Sequence, residues 1–334
     1  MRTITYRQAL NEALRQELSR DENVVLMGEE IGVFEGSYKV TAGLHQEFGA
    51  ERVIDTPIAE EGFVGMAIGA AMLGMRPVVE IMTINFSLLA IDQIVNNAAK
   101  AYGMFGGQVR VPMVLRTPGG GGQQLSATHS QNLEVYYAHI PGLKVVAPAT
   151  PYDAMGLLRA AIRDDDPVIF LENLALYNLK GEVPDDFDDA LPIGVADIKR
   201  EGKDITLISY SRTTSLALKI ANQLQEEENI SVEVVDIRTL RPLDRETIVN
   251  SVRKTSRAVL IEDDWRSYGI GAEIAATLQE EAFDYLDAPV LRVGSAEVPL
   301  PYAKVLEQAT LPNDQQLVKA IYQTLEGTRA LKTA

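Results

Sequence analysis

Asp55-Thr-Pro-Ile-Ala-Glu-Glu-Gly-Phe-Val-Gly-Met-Ala-Ile-Gly-Ala-Ala71 runs on through Met72-Leu-Gly-Met-Arg-Pro-Val-Val-Glu80. Pro57 followed by Glu60 and Glu61 marks a helix start, because carboxylates complement the positive end of a helix dipole. The helix that follows is made almost wholly of small residues: Gly62, Gly65, Ala67, Gly69, Ala70 and Ala71. Glycine costs a helix about 1 kcal/mol per position relative to alanine. Several in one helix therefore point to close backbone approach, at an interface or against a cofactor. The apolar run at 77–82 reads as a buried strand, and a helix feeding such a strand is the unit of an α/β fold.

The alternation repeats in both directions along the 334 residues. Strand-length apolar runs lie at 24–28, 77–82, 112–116, 144–147 and 168–171, and again at 205–210, 232–237, 258–262 and 290–293. They are rich in Val and Ile without clean alternation, as in parallel strands covered on both faces. Amphipathic stretches at 9–18, 91–102, 154–163 and 214–225 separate them. Two such series predict two α/β domains. The break falls in the acidic, proline-containing, aperiodic stretch 181–190, so the expected division is a domain over 1–185, a linker at 186–200 and a second domain over 201–330.

Composition removes several function classes. There is no cysteine, which excludes disulfides, thiolate metal sites and a cysteine nucleophile. The three histidines, His45, His129 and His139, do not make a multi-histidine zinc site. A net charge of −16 argues against nucleic acid or anionic membrane as partners. No apolar run reaches membrane-spanning length, and the first residues lack the apolar core of a secretory signal, so a cytoplasmic location is expected.

Two glycine motifs fail as phosphate or nucleotide sites. The run 119–122 is followed by Gln123 and Gln124 and not by Gly-Lys-Ser/Thr, so it reads as a flexible loop of close approach. Gly269-Ile-Gly-Ala-Glu-Ile-Ala275 follows a strand but carries Ile274 where a third glycine belongs, so its glycines ease a helix start. No complete catalytic set stands in the chain. On residue type alone, Glu60 and Glu61 either complement the helix dipole or, if one is desolvated, face a heterocycle nitrogen.

The stretch 55–65 resembles the helix start of the beta subunits of 2-oxoacid dehydrogenase decarboxylating components. The resemblance continues in Glu80-Ile-Met-Thr-Ile-Asn-Phe-Ser-Leu-Leu-Ala-Ile-Asp-Gln-Ile-Val-Asn-Asn-Ala-Ala-Lys100, Thr128-His-Ser-Gln131, Pro141-Gly-Leu-Lys-Val-Val-Ala-Pro148 and Glu297-Val-Pro-Leu-Pro-Tyr-Ala-Lys304. It covers nearly the whole chain in order, and the Asp-Thr-Pro-Ile and Met-Thr-Ile-Asn-Phe blocks look more like pyruvate than branched-chain enzymes. It implies an N-terminal thiamine-diphosphate-binding, pyrimidine-type parallel-sheet domain and a transketolase C-terminal-like α/β domain. It also implies an alpha2-beta2 tetramer, docked on a lipoyl acyltransferase core, that decarboxylates pyruvate oxidatively. Thiamine diphosphate is then shared between subunits, with the alpha subunit and its magnesium holding the diphosphate.

Carried over residue by residue, the resemblance makes Glu60 the glutamate that hydrogen-bonds pyrimidine N1′, and leaves Glu61 a helix-start carboxylate. Phe86 matches the aromatic that stacks on the pyrimidine. Ile58 and Met82 match nearby pocket positions or ordinary core. Glu29 matches an acid linking paired sites. His129 matches an active-site histidine that stabilises charge or moves a proton, whereas His139 reads as structural. Leu89 stands where some relatives carry glutamine. A potassium ion is implied at Met113, Ala161, Ile162, Asp164 and Asp166, where the alternative is a plain helix-to-strand turn. The rival readings are a branched-chain or acetoin enzyme, a non-catalytic α/β binding subunit, and a nicotinamide oxidoreductase.

Overall fold

The protein is described here by a computed structural model covering residues 1–185 and 188–326. Residues 186–187 of the expected linker and 327–330 of the expected second domain lie outside the described residues. The chain forms two compact units, one of Met1–Gly120 with Tyr136–Ile193, the other of Gly121–Val135 with the chain from Gly194 onward.

In the first unit, six parallel strands stand in the spatial order Lys144–Val146, Val168–Asn173, Val114–Gly119, Arg76–Glu80, Val24–Gly28 and Val53–Asp55. All five residues of Val24–Gly28 are buried, which is why these strands read as unbroken apolar runs. Fully burying each such Val or Leu side chain contributes roughly 1.5–3 kcal/mol. The helix Tyr6–Arg20 opens on a capping box between Thr5 and Gln8, which satisfies two otherwise unpaired backbone donors. It packs on the helix Pro151–Arg163, where Arg163 reaches the buried Glu17 at 2.6 Å. An antiparallel pair, Arg2–Thr5 with Lys180–Val183, joins the beginning of the unit to a segment near its end.

The stretch 91–102 is not the single amphipathic helix its spacing predicts. After a 3₁₀ helix Ile84–Ala90, a π helix Gln93–Ala98 and an α turn Ala101–Met104 take its place. A Cβ at Gly65 would stand 3.3 Å from the side-chain oxygen of Gln93. The glycine thus admits the π segment against the helix Glu60–Met72. The close approach expected from the small residues is met inside the chain at Gly65. A Cβ at Gly69 would meet nothing within 4 Å.

In the second unit, Leu291–Ser295, Ala258–Trp265, Ile205–Ser209 and Val232–Asp236 run parallel, and Asp197–Arg200 pairs antiparallel at the edge. Its core joins Leu207, Val234 and Ile261 to Leu317 and Ile321 of the helix Asp314–Glu326. The Gly269–Ala275 motif is resolved here. A Cβ on Gly269 or Gly271 would come within 2.6 Å of Trp265 O or of Glu262 Oε1, respectively, and the Gly271 N–H donates to Glu262 at 2.9 Å. The chain's own carboxylate occupies the place a dinucleotide phosphate would need. Among the described residues, no helix is long and apolar enough to cross a membrane.

Candidate active site

The six strands of the first unit carry a topological switch point. From Val24–Gly28 the chain moves outward to Val53–Asp55, and from Arg76–Glu80 it moves the other way, to Val114–Gly119. Open α/β sheets bind ligands at the carboxyl ends of the strands at such a point. Glu29 follows the first of the two central strands, Glu80 ends the second, and Glu60 opens the helix Glu60–Met72 after the third strand. Glu60 and Glu29 are each only 4% exposed. That burial separates the two residues of the helix-start pair: Glu61 is exposed and Glu60 is not.

Beneath these acids lies a buried ionic network that sequence reading did not single out. Arg116 donates from Nε and Nη2 to the two oxygens of Glu172, both at 2.7 Å, and from Nη1 to Glu80. Tyr177 donates its hydroxyl to Glu172. Burial pushes the Glu80 carboxyl up despite the adjacent guanidinium. Burial works against the Arg116 cation, but Glu172 and Glu80 outweigh it and hold the guanidinium protonated. The available signal was charge inside buried strands, at Val-Val-Glu80, Val-Leu-Arg116 and Ile-Phe-Leu-Glu172, since buried charges occur paired.

Glu29 has no such partner. Its Oε1 is buried without a hydrogen bond, and burial first, then Glu60 and Glu80, raise its carboxyl from 4.5 to about 7. A carboxyl raised in the fold gives stability that is fully present below the unfolded value and is lost as pH rises through the folded one. Stability should therefore fall between pH 4.5 and about 7. Glu29→Gln is expected to flatten that decline, which melting curves of both proteins across this range will show.

The other predicted residues are placed as follows. Phe86, on the 3₁₀ helix Ile84–Ala90, and Met82 just before it are half-buried. Ile58 is 81% exposed, so the ordinary-core reading does not hold for it. Leu89 is also exposed. His129 belongs to the second unit, on the segment Gly121–Val135, and is exposed, with Nδ1 3.0 Å from the Thr128 hydroxyl. His139 is exposed as well.

Four of the five carbonyls matched to a potassium ion accept hydrogen bonds. Arg76 donates to the Ile162 and Asp164 carbonyls at 3.2 and 2.9 Å. The Asp164 N–H reaches Ala161 O at 3.3 Å, and the Val168 N–H reaches Met113 O at 2.9 Å. Lys144 binds the Asp164 carboxylate at 2.7 Å and that of Asp166 at 3.1 Å. A helix C-terminus favours positive charge, and Arg76 with Lys144 supplies it. Each of these carbonyl oxygens keeps a second lone pair beside the hydrogen bond it accepts.

The residues at the switch point do fit an aminopyrimidine. The Glu60 side chain is buried and takes no hydrogen bond from any described residue, and the Glu29 oxygen beside it is orphaned. Such acceptors suit a heterocycle that brings a proton. They do not suit a diphosphate, because the buried cation of the cluster, Arg116, is already held by two carboxylates. Among the described residues, no group of three or more acidic or histidine side chains could hold a metal ion.

Residues 2–180 match the transketolase pyrimidine-binding domain and residues 194–317 the transketolase C-terminal domain. The chain is 53% identical over 321 residues to the pyruvate dehydrogenase E1 component subunit beta-2, mitochondrial, of Oryza sativa subsp. japonica, covering 95% of this chain and 85% of that protein. It is 51% identical to the pyruvate dehydrogenase E1 component subunit beta of Rhizobium meliloti (strain 1021), covering 96% and 70%, and 50% identical to that of Rickettsia felis, covering 95% and 97%. A solved structure described as a split gene transketolase, inactive beta4 tetramer, superposes with a TM-score of 0.78 over 97% of this chain and 98% of that one, at 24% identity, a likeness of fold. With its two transketolase-type domains and half its residues shared across nearly full length, the chain belongs to the family of pyruvate dehydrogenase E1 component beta subunits.

Proposed function

We propose that this chain supplies the pyrimidine half of a thiamine-diphosphate site and decarboxylates pyruvate only together with an alpha subunit. The carrying observation is the buried Glu60 carboxylate, without an internal partner, at the sheet's switch point. When bound, thiamine diphosphate supplies the electron sink for loss of carbon dioxide from a 2-oxo acid.

In this reading Glu60 holds a proton at pyrimidine N1′, a task that needs a titratable carboxyl in a desolvated place. Phe86 stacks on the ring, and Ile58 and Met82 bound the same pocket. Glu29, with its raised carboxyl, holds a proton beside Glu60. His129 steadies developing charge or moves a proton as the acetyl group passes to a lipoyl group. The diphosphate and its magnesium belong to the alpha subunit, in keeping with Arg116 being fully engaged by Glu80 and Glu172. Potassium keeps its place in this reading at the carbonyls of Met113, Ala161, Ile162, Asp164 and Asp166, on the lone pairs that the Arg76 hydrogen bonds leave free.

A partner is supported by the open face of the helix Glu60–Met72. Gly62, Met66 and Gly69 are exposed along one side of it, and Leu73, at its end, is 89% exposed. Apolar surface of this kind marks interaction sites, and glycines on it let another backbone come close. The assembly proposed is an alpha2-beta2 tetramer docked on a lipoyl acyltransferase core. A cytoplasmic location is kept in the proposal; the rice relative is named mitochondrial, and cell fractionation is the check.

The chain co-expressed with its alpha subunit should turn over pyruvate far faster than 2-oxoisovalerate or acetoin. Preference for either of the others would move it to the branched-chain or acetoin enzymes. A pair inactive on all three would leave a binding subunit.

A further inference from the structure

The segment Gly121–Val135 carries His129 on an exposed crest between two buried anchors. At its beginning, the carboxylate of Glu307, itself 1% exposed, accepts the N–H of Gly122 at 2.9 Å and that of Gln124 at 3.0 Å. Gly122 and Gln124 both have left-handed backbone, with φ of 101° and 58°. Alternating backbone of this sort turns successive N–H groups inward into a concavity suited to an anion. Gln124 adopts that conformation against its intrinsic preference, so the carboxylate is what holds the turn. Gly121 lies flush on the same unit, since a Cβ there would come 3.0 Å from Leu311 and 3.2 Å from Leu300.

At the other end of the segment, the buried Glu134 accepts the Tyr210 hydroxyl at 2.9 Å. Leu133 and Ser130 are buried beside it. Between the anchors Gln123, Thr128 and His129 are exposed. All of these contacts lie within the second unit.

We infer that Glu307 and Tyr210 are positioning residues for His129: the C-terminal unit presents the histidine by clamping both ends of its segment. The inference rests on the catalytic reading of His129 above. Neither Glu307 nor Tyr210 need touch substrate or cofactor. Each acts by limiting where the crest can go, and misplacement of a catalytic group costs rate even when folding is intact.

The test uses the reconstituted enzyme with Glu307→Gln, Glu307→Asp, Tyr210→Phe and His129→Ala, singly and with each anchor variant combined with His129→Ala. Glu307→Gln should speed hydrogen exchange of the 121–126 amides about tenfold, the loss expected for a charged acceptor. It should lower kcat for acetylation of a lipoyl domain about tenfold, with KM for pyruvate and the melting temperature held. Tyr210→Phe, which deletes one hydroxyl, should act the same way at residues 130–135, and Glu307→Asp should recover part of the activity. In the His129→Ala background the anchor variants should cost nothing more, because coupled residues are non-additive. If losses in the double variants multiply instead, or if exchange is unmoved, the inference fails. Full activity of His129→Ala would fail the catalytic reading itself, and the inference with it.

Discussion

Glu60→Gln, reconstituted with the alpha subunit, is expected to lower the rate of pyruvate decarboxylation by about 10²–10⁴-fold, the range typical of a lost general acid or base. The amide has the size of the carboxyl and can hydrogen-bond a ring nitrogen, yet it cannot hold and return a proton. The effect should fall on kcat with little change in KM for pyruvate. Stability should hardly move: the helix start loses one dipole-complementing charge, worth about 0.3–1 kcal/mol, and Glu61 remains. Steady-state rates beside a melting curve separate the two. Near-normal turnover would remove Glu60 from the chemistry.

Arg116→Met should produce the largest loss of stability. The guanidinium is fully buried between Glu172 and Glu80, so its removal strands two carboxylates in the interior. Breaking a buried pair in this way costs about 3–5 kcal/mol, a large part of the 5–15 kcal/mol that usually holds a protein folded. Arg116→Lys should fall between, because one ammonium cannot serve both oxygens of Glu172 and reach Glu80. The combined change Arg116→Met, Glu80→Gln, Glu172→Gln should recover much of the loss, since no unpaired charge is then left inside. Denaturant unfolding of the four proteins measures this. A cost below about 1 kcal/mol for Arg116→Met would mean that the network does not hold the carboxyl ends of these strands together.

Most strands and the small-residue helix were legible because they depend on local pattern. Val24–Gly28 is a continuous apolar run, and Arg76–Glu80 and Val168–Asn173 are built round the apolar runs 77–79 and 168–171, as buried parallel strands commonly are. Val53–Asp55 escaped notice because three residues carry no periodicity, as did the antiparallel edge Asp197–Arg200, which is mostly polar. The break of 91–102 into a π helix and an α turn sets Gln93 against Gly65, which lies on another element. The grouping of Gly121–Val135 with the second unit is a long-range matter of the same kind, carried by Glu307 and Tyr210, residues far along the chain.

The site was legible only in part for a physical reason. Whether a helix-start glutamate is a solvated dipole partner or a desolvated acid depends on burial, and Glu60 and Glu61 are identical in type and adjacent in sequence. Resemblance picked Glu60, and the fold buries it. The carbonyls at Ile162 and Asp164 raise the same difficulty. Backbone atoms leave no side-chain signature, and nothing local to 161–166 shows that Arg76, on a distant strand, donates to two of them.

The central claim is that this chain holds half of a cofactor site. It is tested most directly by titrating thiamine diphosphate with magnesium, in a calorimeter, into the chain alone, the alpha subunit alone and the two together. The account predicts saturable, tight binding only for the pair. Binding by this chain alone as tight as by the pair would contradict it.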